Sequence, residues 1–207
     1  MDSKLIQPER TALIVVDMQN DYCHPDGAMA ASGQNVSMVD TMTPNLSRLI
    51  DHARKNDVEV IFIQTIHEDC TNSPTWKSRL NNTSVQVCRK NSWGSDFYEV
   101  QPLSTEPIVN KHRYSAFIHT RLDTILRSKD IKNLIMTGVS TNVCVESTAR
   151  DGFMLDYNII FLADCTAAFT AEEHNMALEN INNFFGVVST SHEVIEKWKK
   201  TKQSVGA

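Results

Sequence analysis

A chain with helices on both faces of a mainly parallel sheet is predicted by three features of the sequence. Short apolar blocks recur along it, and segments with helical spacing separate them. Its 207 residues, 41% hydrophobic and 22% charged, also suffice for one core of ordinary size.

The first block, Ala12-Leu13-Ile14-Val15-Val16, is apolar without alternation, as in a strand covered on both faces, and it ends at Asp17. Val39, Met42, Leu46, Leu49, Ile50 and Ala53 then share one helical face in a segment that stops near Lys55-Asn56. A second strand is predicted over 58–63 and a weaker one over 107–109. Thr120 is placed to cap a helix carrying Leu122, Ile125 and Leu126. A strand over 131–136 leads through a turn into a helix over about 143–154, and a further strand follows at 159–163. Thr170-Ala171-Glu172-Glu173 has capping-box spacing ahead of Met176, Ala177 and Ile181, and the last strand is predicted at 184–188. The stretch 64–106 has no clear period and carries Trp76, Trp93, Phe97 and Tyr98 among polar residues, a pattern of short helices or loops that enclose a pocket.

Alternation of this kind implies right-handed crossovers and a three-layer α/β/α, Rossmann-like fold with about six strands, whose ligand site lies beyond the carboxyl ends of the strands. No repeat, low-complexity tract or Pro/Gly-rich linker divides the chain, so one domain is expected over 1–207 with its core at about 10–195.

Composition excludes several classes of function. Lys and Arg total 20 against 25 Asp and Glu, a net charge of −5 without long runs of one sign, so no basic stripe is available for nucleic acid or an anionic membrane. Cys23, Cys70, Cys88, Cys144 and Cys165 are odd in number and form no CxxC pair or zinc-finger spacing, which argues against a disulfide framework. The polar start of the chain lacks the pattern of a signal peptide, and no apolar run approaches the roughly 18 to 20 residues that span a bilayer. A reduced, cytoplasmic, soluble protein is expected.

Three strand ends carry the candidate chemistry. Asp17 emerges from a buried strand, where desolvation makes a carboxylate a stronger proton acceptor, although Asp also caps turns. Lys111 follows Ile108-Val109-Asn110 and would bring an ammonium to the same rim; taken alone it reads as a solvated lysine. Cys144 follows Thr137-Gly138-Val139-Ser140-Thr141-Asn142-Val143 and is expected at a helix amino terminus, where unpaired N–H groups favour a thiolate and can receive an oxyanion. Cys165 fits a buried structural cysteine better. Gly138-Val139-Ser140-Thr141-Asn142 lacks the second glycine of a serine nucleophile elbow, so Ser140 is expected to supply its backbone N–H. His67-Glu68-Asp69 offers one histidine with no second ligand at regular spacing, so no metal and no cofactor are expected.

Taken together, Ile14-Val15-Val16-Asp17-Met18-Gln19-Asn20-Asp21, Lys111-His112-Arg113-Tyr114-Ser115-Ala116-Phe117 and Thr137 through Val145 resemble the isochorismatase-like cysteine hydrolases over about residues 10–195. The resemblance implies a catalytic triad of Asp17, Lys111 and Cys144, with Asp17 taking the thiol proton, Lys111 supporting the pair and Cys144 attacking a carbonyl or carbamoyl carbon. It further implies an oxyanion hole from the backbone N–H groups of Ser140 and Cys144, and a cis peptide at Val139-Ser140. Gln19, Tyr22, His67, Trp76, Trp93 and Tyr114 are the candidate substrate-binding residues.

Arg113 to Phe117, Thr120 to Ser128 and Glu146 to Phe153 look most like ureidoacrylate amidohydrolases and their biuret-hydrolysing relatives. Thr65-Ile66-His67 departs from the Asn-Gly-Trp of that group, which leaves biuret, N-carbamoyl amino acids, a lactam such as streptothricin, or a nicotinamidase-like amide open. A catalytically silent binding module on the same fold is the competing class. A small-molecule amide or ureido partner and a homo-oligomer, dimer or tetramer, are what the resemblance implies.

Overall fold

A computed structural model of the chain describes residues 3–79 and 86–205. Six strands, β1 (Thr11–Val16), β2 (Glu59–Thr65), β3 (Ile108–Lys111), β4 (Asn133–Val139), β5 (Asn158–Ala167) and β6 (Val187–Ser189), form one parallel sheet in the order β3-β2-β1-β4-β5-β6. The helices are α1 (Asn20–Cys23), α2 (Ala28–Ala31), α3 (Met38–Lys55), α4 (Pro74–Arg79), α5 (Leu122–Ser128), α6 (Glu146–Met154), α7 (Ala171–Phe184) and α8 (Ser191–Val205). The predicted α/β architecture is the observed one.

The unbroken apolar run of β1 is explained by burial on both sides. Leu13 and Val15 pack with Leu46, Leu49 and Ile50 of α3 and with Val194 and Trp198 of α8. Ala12, Ile14 and Val16 face the other way, toward Leu122 and Leu126 of α5, Ala149 of α6 and Ile181 of α7. Every side chain of β1 is buried, and each Leu, Ile or Val so placed contributes about 1.5–3 kcal/mol.

Several boundaries differ from expectation for local reasons. The last strand begins at Val187, because Phe184 ends α7 and stands largely exposed, and Gly186 passes so close to Ile159 that an added Cβ would lie 2.4 Å from its carbonyl oxygen. Met176 points to solvent while His174, Ala177 and Ile181 form the buried stripe of α7. Arg121, not Thr120, is the N-cap of α5, and Thr120 Oγ1 accepts the Leu122 N–H at 3.1 Å from one residue further out. No expectation covered α8, which Asp164 caps through the backbone N–H and hydroxyl of Ser191. Trp198 anchors it by donating its indole N–H to the Ile6 carbonyl at 2.9 Å. No helix among the described residues is long and apolar enough to cross a membrane.

This winding places the chemistry. Strands β2 and β3 follow β1 toward one edge and β4 to β6 toward the other, so the connections diverge between β1 and β4, where a crevice opens at the carboxyl ends.

Candidate active site

Asp17 is the first residue past β1 and adopts φ 51°, a left-handed conformation uncommon for a residue with a side chain. Its backbone N–H donates to the Ile63 carbonyl at 3.0 Å, which fixes the turn against β2. Lys111 closes β3 in register with Thr65 of β2. Cys144 follows β4 within a π-helical turn, Thr141–Val145, that runs into α6. Just before that turn Gly138 has φ 103°, and an added Cβ would lie 2.0 Å from the Val16 carbonyl oxygen, so only glycine lets β4 pass β1 here. The Val139–Ser140 peptide that follows is cis.

The three side chains converge although their sequence positions are far apart. Lys111 Nζ lies 2.8 Å from Asp17 Oδ2 and 3.4 Å from Cys144 Sγ, and it also donates to Thr65 Oγ1 at 2.8 Å and the Arg113 carbonyl at 3.0 Å. Asp17 and Lys111 are buried almost completely. Burial works against the ammonium, but Asp17 and Cys144 together outweigh it and hold Lys111 above the ordinary lysine range.

The thiol behaves differently from the expectation of a stabilised thiolate. Burial pushes Cys144 up to about 12, with Lys111 pulling it down and Asp17 pushing it further up. The positive end of a helix does not prevail, because Cys144 sits inside a buried turn rather than at the exposed first turn of an α-helix. The resting sulfur therefore keeps its proton, with a carboxylate at hand to receive it.

A cavity of about 210 Å³ opens on the sulfur, small beside the pockets of drug-sized ligands at about 300–1,000 Å³. Tyr22, His67, Trp76, Tyr114, Ser140 and Cys144 line it, with Met29, Val87, Val143 and Phe169 as its apolar wall. Trp76 packs against Tyr114 with ring centres 4.9 Å apart and planes tilted by 53°, and carries the Arg113 guanidinium on its ring at 5.2 Å. Burial lowers His67 below the ordinary histidine value, so it is neutral at pH 7, and its Nδ1 faces Asn72 Oδ1 at 3.3 Å. Among the described residues no three His, Cys, Asp or Glu side chains gather as a metal cluster.

Two of the expected substrate-binding residues lie elsewhere. Gln19 is fully buried and braces Thr65, receiving its N–H at 2.8 Å and donating to its carbonyl at 2.9 Å. Trp93 lies outside the cavity, half-exposed, with its carbonyl bonded by Asn20 at 2.9 Å and its ring packed edge-on against His24. Thr65, marked in the sequence only as part of Thr65-Ile66-His67, joins the site through its contact with Lys111, which arises from strand register and which no local motif reveals. A larger groove of about 640 Å³ lies at the amino ends of β5 and β6, away from the triad, among Phe153, Tyr157, Phe184 and Phe185.

An isochorismatase domain matches residues 11–193. The chain belongs to the isochorismatase family. Ureidoacrylate amidohydrolase RutB of Serratia proteamaculans is 40% identical over 198 residues, covering 88% of this chain and 80% of the relative. The protein of the same name from Acinetobacter baylyi is 35% identical over 214 residues, covering 96% and 87%. Among solved structures, a cysteine hydrolase from Pseudomonas syringae pv. phaseolicola superposes with a TM-score of 0.88 at 33% identity, covering 95% of each chain. Isochorismatase-family membership thus rests on both sequence and fold.

Proposed function

We propose that this isochorismatase-family chain hydrolyses a C–N bond of a small ureido, carbamoyl or carboxamide substrate through a thioester on Cys144. The chain is an amidohydrolase, as its relatives named ureidoacrylate amidohydrolase are. The observation that carries the mechanism is one buried ammonium touching both a carboxylate and a thiol beside a small cavity.

Asp17 Oδ2 takes the Cys144 proton as the sulfur attacks the carbonyl carbon, which avoids a free thiolate in a site that disfavours one. Lys111 stabilises the negative charge as it moves between sulfur and carboxylate. The backbone N–H groups of Ser140 and Cys144 receive the oxyanion. The tetrahedral intermediate collapses with loss of the C–N bond, and Asp17 returns its proton to the leaving nitrogen. Water, deprotonated by Asp17, then attacks the thioester; the acid is released and the proton passes to the sulfur.

Tyr22, His67, Trp76 and Tyr114 line the cavity with rings tilted to one another, against which a small ureido or amide group can pack, and neutral His67 can exchange hydrogen bonds with it. A ureidoacrylate-like substrate is favoured by the similarity to the two relatives named above. The exposed Phe153, Met154 and Phe184 around the second groove support self-association, which light scattering would measure. The activity is tested by ammonia release over a panel of ureidoacrylate, biuret, N-carbamoyl amino acids and simple carboxamides, with Cys144→Ala as the control. Undiminished turnover by the variant would remove the proposal.

A further inference from the structure

We propose that Thr65 is a positioning residue that locks the Asp17 carboxylate so that one chosen oxygen, Oδ2, receives the Cys144 proton. The inference deepens the amidohydrolase reading and rests on it for the role of Asp17 as base.

Hydrogen-bond directions around Thr65 are fixed by chemistry. An ammonium has donors only, so at 2.8 Å Lys111 Nζ donates and the Thr65 hydroxyl oxygen accepts. The single hydroxyl proton of Thr65 is then free to go to Asp17 Oδ1, which lies 3.0 Å away. Oδ1 is therefore committed to Thr65. Oδ2 stands 2.8 Å from Lys111 Nζ as an ion pair but accepts no aligned hydrogen bond, which leaves it able to take a proton. The carboxylate cannot exchange its two oxygens without breaking the Thr65 bond.

Thr65 is itself held from three sides. Its N–H and carbonyl are both clamped by the Gln19 amide at 2.8 and 2.9 Å, and it pairs with Lys111 across β2 and β3. Its β-branch restricts χ1, so the hydroxyl has one direction to point. A threonine at a buried strand end, with every polar atom of its own paired, thus joins the base to the cation and leaves Oδ2 as the carboxylate oxygen without a hydroxyl partner.

The test uses iodoacetamide, so that it needs no identified substrate. Alkylation rates of Cys144 and of exposed Cys70 are measured in the same digest by mass spectrometry across pH 6–9, for wild type, Thr65→Val and Thr65→Ser. Thr65→Val keeps the shape and removes both hydrogen bonds, and the Cys144 rate is expected to fall about tenfold or more relative to Cys70. Thr65→Ser keeps both bonds and should stay within about threefold of wild type. If valine does not fold, Thr65→Ala replaces it. A Cys144 rate in the valine or alanine variant equal to wild type, or a serine variant as slow as valine, overturns the role of Thr65. Failure of the underlying amidohydrolase reading shows separately, as amide turnover that survives Cys144→Ala.

Discussion

Lys111 and Cys144 meet at 3.4 Å although Lys111 ends β3, Cys144 follows β4, and two strands lie between them. The reach is possible because the lysine stem crosses the end of β2 over Thr65 and is buried throughout. An ammonium placed there compensates the Asp17 carboxylate, which no solvent screens, and favours negative charge on the sulfur beside it.

Removing that compensation should be costly. Lys111→Met leaves Asp17 charged and unpaired in the interior, and a loss of about 3–5 kcal/mol is expected in urea unfolding. The double variant Asp17→Asn with Lys111→Met should recover part of it, since no lone charge remains.

The ionisation of the sulfur has a definite sign. With Cys144 pushed up to about 12, the thiolate absorbance near 240 nm in wild type minus Cys144→Ala should show no step between pH 6 and 10 and should rise only above that. A step near pH 7 would mean that the resting enzyme holds a thiolate and that Asp17 is not needed as the base.

Histidine burial predicts a pH limit on stability. His67 is lowered in the folded state, so protons favour the unfolded chain once pH drops below the unfolded value of about 6.5. Stability is fully present above that pH and declines as pH falls through the lowered folded value. Replacement by Asn should flatten this decline in thermal melts recorded from pH 7 to 5.

Backbone geometry at Gly138 gives a fourth test. Gly138→Ala adds a Cβ that clashes with the Val16 carbonyl and imposes φ 103° on an L side chain. A loss of about 2 kcal/mol or more is expected, with β1 and β4 forced apart directly beneath the site. An alanine variant as stable as wild type by calorimetry would contradict the close approach.

Much of this was legible in the sequence, and the exceptions are instructive. The apolar run of β1 marked a strand covered on both faces, and the helical spacing from Val39 to Ala53 marked α3, because both are one-dimensional patterns. Strand ends mark Asp17, Lys111 and Cys144 as candidates on one rim, but it is the resemblance to the isochorismatase-like cysteine hydrolases that joins them as a triad. Trp93, expected at the pocket, is half-exposed outside it, because a loop aromatic carries no local signal of which way its ring faces. Thr65 stands out in the sequence only as part of Thr65-Ile66-His67; its bonds to Asp17 and Lys111 leave no local signal, because those partners come from the ends of two other strands. A turn into a helix points to a thiolate at Cys144, whereas burial pushes the thiol the other way, and depth of burial is not a local property of the turn. Helix α8 carries a weak sequence signal, because Val194, Ile195 and Trp198 are its buried apolar residues between Ser191 and Lys200 in a segment otherwise rich in lysine.

The claim beneath the mechanism is that Cys144 carries the substrate's acyl group. Intact-protein and peptide mass spectrometry after rapid acid quench, across the amide panel, measures this directly. A mass increase equal to the acyl portion of a hydrolysed amide, confined to the peptide containing Cys144 and absent in Cys144→Ala, is the expected result. Steady turnover with the added mass on another residue, or undiminished turnover in Cys144→Ala, would contradict it.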